Sequence, residues 1–186
     1  MGAEQAWLLA AVPAGMFIVL ALFGRYLPRG GDYLGVLAIG TSFVLFFFVL
    51  VDFLGFYDFE AGRTAITASI KWVEIGENWN IRFGTYVDSM TILMFGVITT
   101  VALMVNVFSV GYMKDEPRYW WYFAVLQIFV ASMLTLVMSD NLLLLLISWE
   151  LVGVSSFLLI GFYWEKRSAA EAAKDVSAVA PDKRLC

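Results

Sequence analysis

Five long apolar stretches dominate the chain, at residues 5–24, 34–54, 87–110, 119–138 and 141–163. About 20 residues at a rise of about 1.5 Å cover the roughly 30 Å hydrocarbon core of a bilayer, so each stretch predicts a transmembrane helix. The segments between them differ. Residues 25–33 (RYLPRGGDY) hold Pro28, Gly30 and Gly31 and predict a short turn; residues 111–118 (GYMKDEPR) predict another, with Pro117 near the next helix start. Ser139, Asp140 and Asn141 allow only a tight reversal, so the fourth and fifth helices must be antiparallel neighbours, with Asp140 or Ser139 placed to cap the fifth. The long connection at 55–86 is different. KWVEI and WNIRFGTYV flank Gly76-Glu77-Asn78, and Trp79, Ile81 and Phe83 alternate with Asn80, Arg82 and Gly84. Period two around a turn predicts a β-hairpin, lying on the membrane surface with its apolar face down.

The expected architecture is therefore an all-α membrane protein with about five transmembrane helices and a short β-hairpin in its long outer loop. Residues 1–163 form the bundle, and 164–186 form a charged tail on the cytoplasmic or matrix side. Composition agrees: 61% of the 186 residues are hydrophobic and 15% charged, against about a quarter charged in soluble domains. The mean hydropathy is +0.81. The first stretch is preceded by Glu4 and followed by Arg25 and Arg29, the reverse of a signal peptide, and is read as a retained helix. Lys and Arg set the orientation. Arg25, Arg29, Lys114, Arg118, Lys166, Arg167, Lys174, Lys183 and Arg184 fall on one side, and Arg63, Lys71 and Arg82 on the other. The positive-inside rule then puts the C-terminus in the cytoplasm or matrix and the N-terminus outside.

The candidate chemistry is sparse. No histidine occurs and Cys186 is the sole cysteine, which removes the commonest metal ligand and proton carrier and any disulfide framework. A net charge of −4 offers nucleic acid no footprint. Glu150 stands out, in the middle of LLLLLISWELVGVSSFLLIGF. Nine residues beyond Asn141, it sits about 14 Å along the axis, where an acid costs several kcal/mol unless protonated, paired or wetted. Its helical neighbours are Leu146, Ile147, Gly153 and Val154, and Gly153 allows another helix backbone to approach. Two readings stand side by side: a protonated structural donor between helices, and a proton-binding group, which buried membrane carboxylates usually are. Asp52, Asp88 and Asp140 lie near helix ends as solvated or capping groups, while Asn106 and Gln127 read as interhelical glue. Trp120, Trp121, Tyr122, Phe123, Tyr163 and Trp164 form an interfacial belt rather than a cofactor site, and Phe46-Phe47-Phe48 divides between lipid contact and packing.

The hairpin running into FGTYVDSMTILM, followed by GYMKDEPRYWWYFAVLQIFVASMLTLVMSDNLLLLLISWELVGVSSFLLIGFYWEKRSAAEAAK, resembles the N-terminal part of the antiporter-like L subunit (subunit 5) of respiratory complex I, the NADH-quinone oxidoreductase. Large Mrp antiporter subunits and membrane-hydrogenase subunits are related. The resemblance rests on motifs over 80–174 and on helix order and hairpin over 1–79. SDNLLLLLISWELVGVSSFLLIGFY is its most specific segment. It implies that Glu150 is the essential glutamate of the fifth helix, facing a lysine on the seventh, with Trp149 and Gly153 packing beside it. It also implies an electrostatic mechanism, in which movement of that lysine changes the proton affinity of both groups.

The chain departs from that pattern after AAEAAK. DVSAVAPDKRLC carries Asp175, Asp182, Lys183 and Arg184 where the family enters its sixth helix, so a truncated subunit is expected. One carboxylate without its basic partner is not a pump, and five helices cannot close around Glu150, so a partner surface is expected. Two functions follow. In one, the chain is the N-terminal fragment of an antiporter-like subunit in a complex I-like proton-translocating assembly, with another chain supplying the missing helices, or part of an Mrp-type cation/proton antiporter. In the other, it is a truncated accessory subunit that packs against a respiratory complex without transport of its own. Its partners are other membrane subunits and the lipid bilayer. No cofactor is expected in this chain, since no site for NADH, flavin, quinone or iron–sulfur clusters is visible. Any oxidoreductase activity belongs to the assembly.

Overall fold

The computed structural model describes residues 5–56, 65–75, 79–114, 116 and 118–163, with the backbone alone at 28, 29, 56, 70–75 and 79–83. The expected charged tail, Trp164, Pro117 and the 76–78 turn lie outside the described residues. So does the expected seating of the hairpin side chains on the membrane surface.

All five expected helices form: α1 (Trp7–Phe23), α2 (Asp32–Phe56), α3 (Ser89–Tyr112), α4 (Tyr119–Met138) and α5 (Leu142–Ile160). Each is long and apolar enough to cross a membrane. Between α2 and α3 lie β1 (Ala65–Ile75) and β2 (Trp79–Asp88), antiparallel from Ala65↔Asp88 to Ile75↔Trp79, with one irregularity between Lys71 and Val73. The first strand begins at Ala65, ahead of the KWVEI run that announced it. β2 passes into α3 without a linker. Asp88 is the last residue of the strand and also the N-cap of the helix, its Oδ1 accepting from the Thr91 N–H at 2.8 Å.

Helix α4 is the centre of the bundle. It packs against α1, α3 and α5, with smaller contacts to α2, and 56% of its span is buried against 17% for α5. Leu9, Ile39, Phe46, Phe95, Val130 and Leu134 fill the main core, drawn from four helices. A hydroxyl joins two of them, Ser42 Oγ donating to the Leu9 carbonyl at 3.0 Å. The Phe46–Phe48 run divides as its helical spacing requires: Phe46 is buried, while Phe47 and Phe48 face outward.

The α1–α2 connection is two 3₁₀ turns, Gly24–Tyr26 and Pro28–Gly31. Gly30 and Gly31 take φ of 66° and 75°, a left-handed geometry open to glycine without strain. At the opposite end the α4–α5 reversal is held by the hairpin. Asp140 N–H donates to the Gly84 carbonyl at 3.3 Å, and Thr85 bridges to Ser139. A side chain at Gly84 would collide with the Asp140 carboxylate, so the close approach requires glycine there.

The capping expectation for α5 needs correcting. The cap is Asn141, whose Oδ1 accepts from the Leu144 N–H at 2.8 Å, rather than Asp140 or Ser139. Asn141 has the extended backbone a cap needs, and Asp140 is occupied otherwise. Its carboxylate accepts from Asn141 Nδ2 at 2.7 Å while its N–H holds the hairpin.

Candidate functional site

Helix α5 exposes most of its surface. Its buried residues are Leu144, Ser148 and Ser155, a stripe turned toward α4. The two serine hydroxyls return to their own helix, Ser148 to the Leu144 carbonyl at 2.8 Å and Ser155 to the Leu151 carbonyl at 2.7 Å. They leave small apolar profiles against the neighbouring helix. Glu150 lies two residues beyond Ser148, roughly 200° around the helix at 3.6 residues per turn. It therefore points away from α4. Its helical neighbours Leu146, Ile147, Gly153 and Val154 are all exposed, and Trp149 beside it is 64% exposed. A Cβ at Gly153 would meet nothing within 4 Å, so no described helix uses the approach that glycine permits. No described residue hydrogen-bonds Glu150. Glu150, Trp149 and Gly153 thus share an outward surface of apolar side chains around one carboxylate.

The two polar residues read as glue do connect helices. Asn106 on α3 and Gln127 on α4 are both fully buried. Gln127 Nε2 donates to the Gly35 carbonyl of α2 at 3.1 Å and lies 3.5 Å from Asn106 Oδ1, while Asn106 Nδ2 donates to Ala102 of its own helix at 3.1 Å. Gln127 Oε1 has no hydrogen-bond partner. Gly35 makes room for the amide, since a Cβ there would lie 3.1 Å from Nε2.

A further polar group escaped sequence reasoning. Asp32, placed within a turn on sequence grounds, is the first residue of α2 and is 5% exposed. Tyr119 Oη donates to its Oδ2 at 2.9 Å, and the Tyr33 N–H donates to Oδ1 at 2.7 Å. An acid directly ahead of an apolar run, with a tyrosine opening another helix at the same end, was the available signal. At that end Arg118 Nη2 donates to the Phe162 carbonyl at 3.1 Å, with its guanidinium 5.6 Å from the Phe162 ring centre. Tyr163 Oη donates to Glu116 at 2.9 Å, so the α3–α4 loop is fastened to the end of α5.

Residues 72–123 match the family described as NADH-ubiquinone oxidoreductase (complex I), chain 5 N-terminus. The chain resembles the N-terminal part of subunit L. It is 38% identical over 171 residues to the F(420)H(2) dehydrogenase subunit L of Methanosarcina mazei, covering 92% of this chain and 24% of that protein. To the NADH-quinone oxidoreductase subunit L of Mycobacterium tuberculosis it is 36% identical over 174 residues, 94% of this chain and 27% of that one. The chain thus spans about a quarter of the length of the curated relatives it matches. Among solved structures, a chain of the archaeal membrane-bound sulfane sulfur reductase shares the fold at TM-score 0.74 and 16% identity, covering 93% of this chain and 33% of that one. A chain of the Mrp complex from Dietzia does so at 0.71 and 20%, covering 91% and 17%. The similarity to subunit L thus covers at least 92% of this chain in both relatives.

Proposed function

We propose that the chain is the N-terminal, five-helix part of an antiporter-like subunit in a complex I-like proton-translocating assembly, and that Glu150 is its proton-binding group. The observation that carries this reading is the outward turn of Glu150 on the least covered helix. A carboxylate surrounded by Leu146, Ile147 and Val154 cannot rest against lipid tails without heavy cost, and α4 already occupies the other face of α5. Further helices of the same subunit type are the natural cover, with Gly153 letting one approach and a basic side chain there pairing with the acid. The N-terminus lies outside and the C-terminus in the cytoplasm or matrix, in a bacterial or mitochondrial inner membrane, as the Lys and Arg distribution directs.

The test is Glu150→Gln in the native assembled complex. Unchanged assembly with proton translocation reduced at least tenfold is expected, because the isosteric amide keeps the packing and removes the titrating group. Translocation equal to wild type would overturn the proton-site reading and leave the chain a packing role in its complex.

A further inference from the structure

At the end of the bundle away from the hairpin, the structure holds a half-open pocket of about 900 Å³. Its walls come from four segments that are separate in sequence: the α1–α2 connection, the start of α2, the end of α3 and the start of α4. Three cations line it, Arg25, Lys114 and Arg118, together with Asp32, Tyr119 and Trp120. We propose that this pocket binds the phosphodiester headgroup of an anionic phospholipid. The proposal goes beyond the reading of Glu150, which lies on a different face of a different helix, and it does not depend on it.

Three observations support the assignment. The first is charge. Among the described residues of the lining the one acid, Asp32, is 5% exposed, and its two oxygens accept from Tyr119 Oη and the Tyr33 N–H, while Arg25 and Lys114 are exposed side chains. The described lining therefore carries three cations to one acid, and that acid is already satisfied by its own donors. The second is construction. A Cβ at Gly24 would lie 3.2 Å from Trp120, and one at Gly30 would lie 3.0 Å from the Tyr119 ring. The turn is seated on the first residues of α4, so the pocket is shaped before any ligand arrives. The third is its setting. The turn of α3 that gives Val110 and Gly111 to the pocket also carries Phe108 and Tyr112, which are 69% and 70% exposed and stack on each other at 5.7 Å. A free phosphate has no use for that surface, whereas acyl chains can lie along it once the headgroup is held. Basic pockets between helices at the membrane interface bind lipid headgroups in this way.

The experiment uses the full chain, delipidated in detergent and equilibrated with equal amounts of phosphatidylglycerol and phosphatidylcholine. Retained lipid is then counted by native mass spectrometry. Wild type is expected to retain one phosphatidylglycerol in clear preference to phosphatidylcholine. Each Lys or Arg near such a headgroup contributes about fivefold, so Arg25→Gln with Lys114→Gln should weaken retention roughly 25-fold. The charge-preserving pair Arg25→Lys with Lys114→Arg should restore it, which separates lost charge from a lost fold. Arg118 is left intact because it holds Phe162. Equal retention of the two lipids by wild type, or undiminished phosphatidylglycerol on the glutamine pair, would overturn the proposal. So would thermal stabilisation by inorganic phosphate as large as that given by the lipid, since the pocket would then be an anion site with no part for acyl chains.

Discussion

Replacement of Gln127 by leucine should cost far less than its polarity and complete burial suggest. The side chain has one good interhelical bond, 3.1 Å to the Gly35 carbonyl, and one at the limit of bonding, 3.5 Å to Asn106 Oδ1. Interhelical hydrogen bonds in membrane bundles contribute about 0.6 kcal/mol on average. The Gly35 carbonyl lies inside α2 and remains within the helical ladder when the amide leaves. On the other side, Oε1 is buried without a partner, and an unsatisfied acceptor costs about 1–3 kcal/mol. Leucine removes that acceptor but leaves the buried Asn106 Oδ1 without its long contact, so the two effects offset each other; with volume nearly conserved, Gln127→Leu should fall within about 1 kcal/mol of wild type. Gln127→Ala instead opens a cavity beside Phe123 and Gly35 and should cost roughly 2–5 kcal/mol. Unfolding in mixed dodecyl maltoside and SDS micelles, followed by the fluorescence of the seven tryptophans, measures both. If leucine proves as damaging as alanine, the amide's polar contacts outweigh its packing and the reasoning fails.

Two further predictions use the same assay. Asn141→Ala should destabilise by about 1 kcal/mol through loss of the α5 cap, and Asp140→Ala should cost less than half of that, because only Asn141 bonds a helix N–H; the opposite ranking would return the cap to Asp140. Tyr119→Phe should cost about 1–3 kcal/mol by leaving Asp32 Oδ2 without its buried donor, and a neutral outcome would show that water replaces the hydroxyl.

The five helices were legible because length and hydrophobicity suffice in a bilayer, where backbone groups have no alternative to internal hydrogen bonds. The hairpin was legible from a turn followed by the alternation of Trp79, Ile81 and Phe83 with Asn80, Arg82 and Gly84. What the sequence could not express was rotation. Apolar residues surround every helix, so periodicity does not say which face meets a neighbour, and the outward turn of Glu150 became visible only when Ser148 and Ser155 were found against α4. Polarity alone pointed to Gln127 as a link between helices, which its bond to Gly35 is, whereas Asp32 was passed over because an acid beside glycines resembles an ordinary turn. The α5 cap was missed by one residue because Ser139, Asp140 and Asn141 are all competent caps, and the choice among them is made by the distant Gly84 carbonyl.

That contact between Gly84 and Asp140 also bears on how the protein is made. The hairpin leaves the ribosome before α4 and α5 exist, so its contact with the Ser139–Asn141 reversal closes only after α4 has crossed the bilayer toward the hairpin's side. A chain inserted with α4 and α5 inverted would present the reversal to the opposite face and leave Gly84 without its donor. The contact is compatible only with the insertion in which the late helices return to the side where the early strands are waiting.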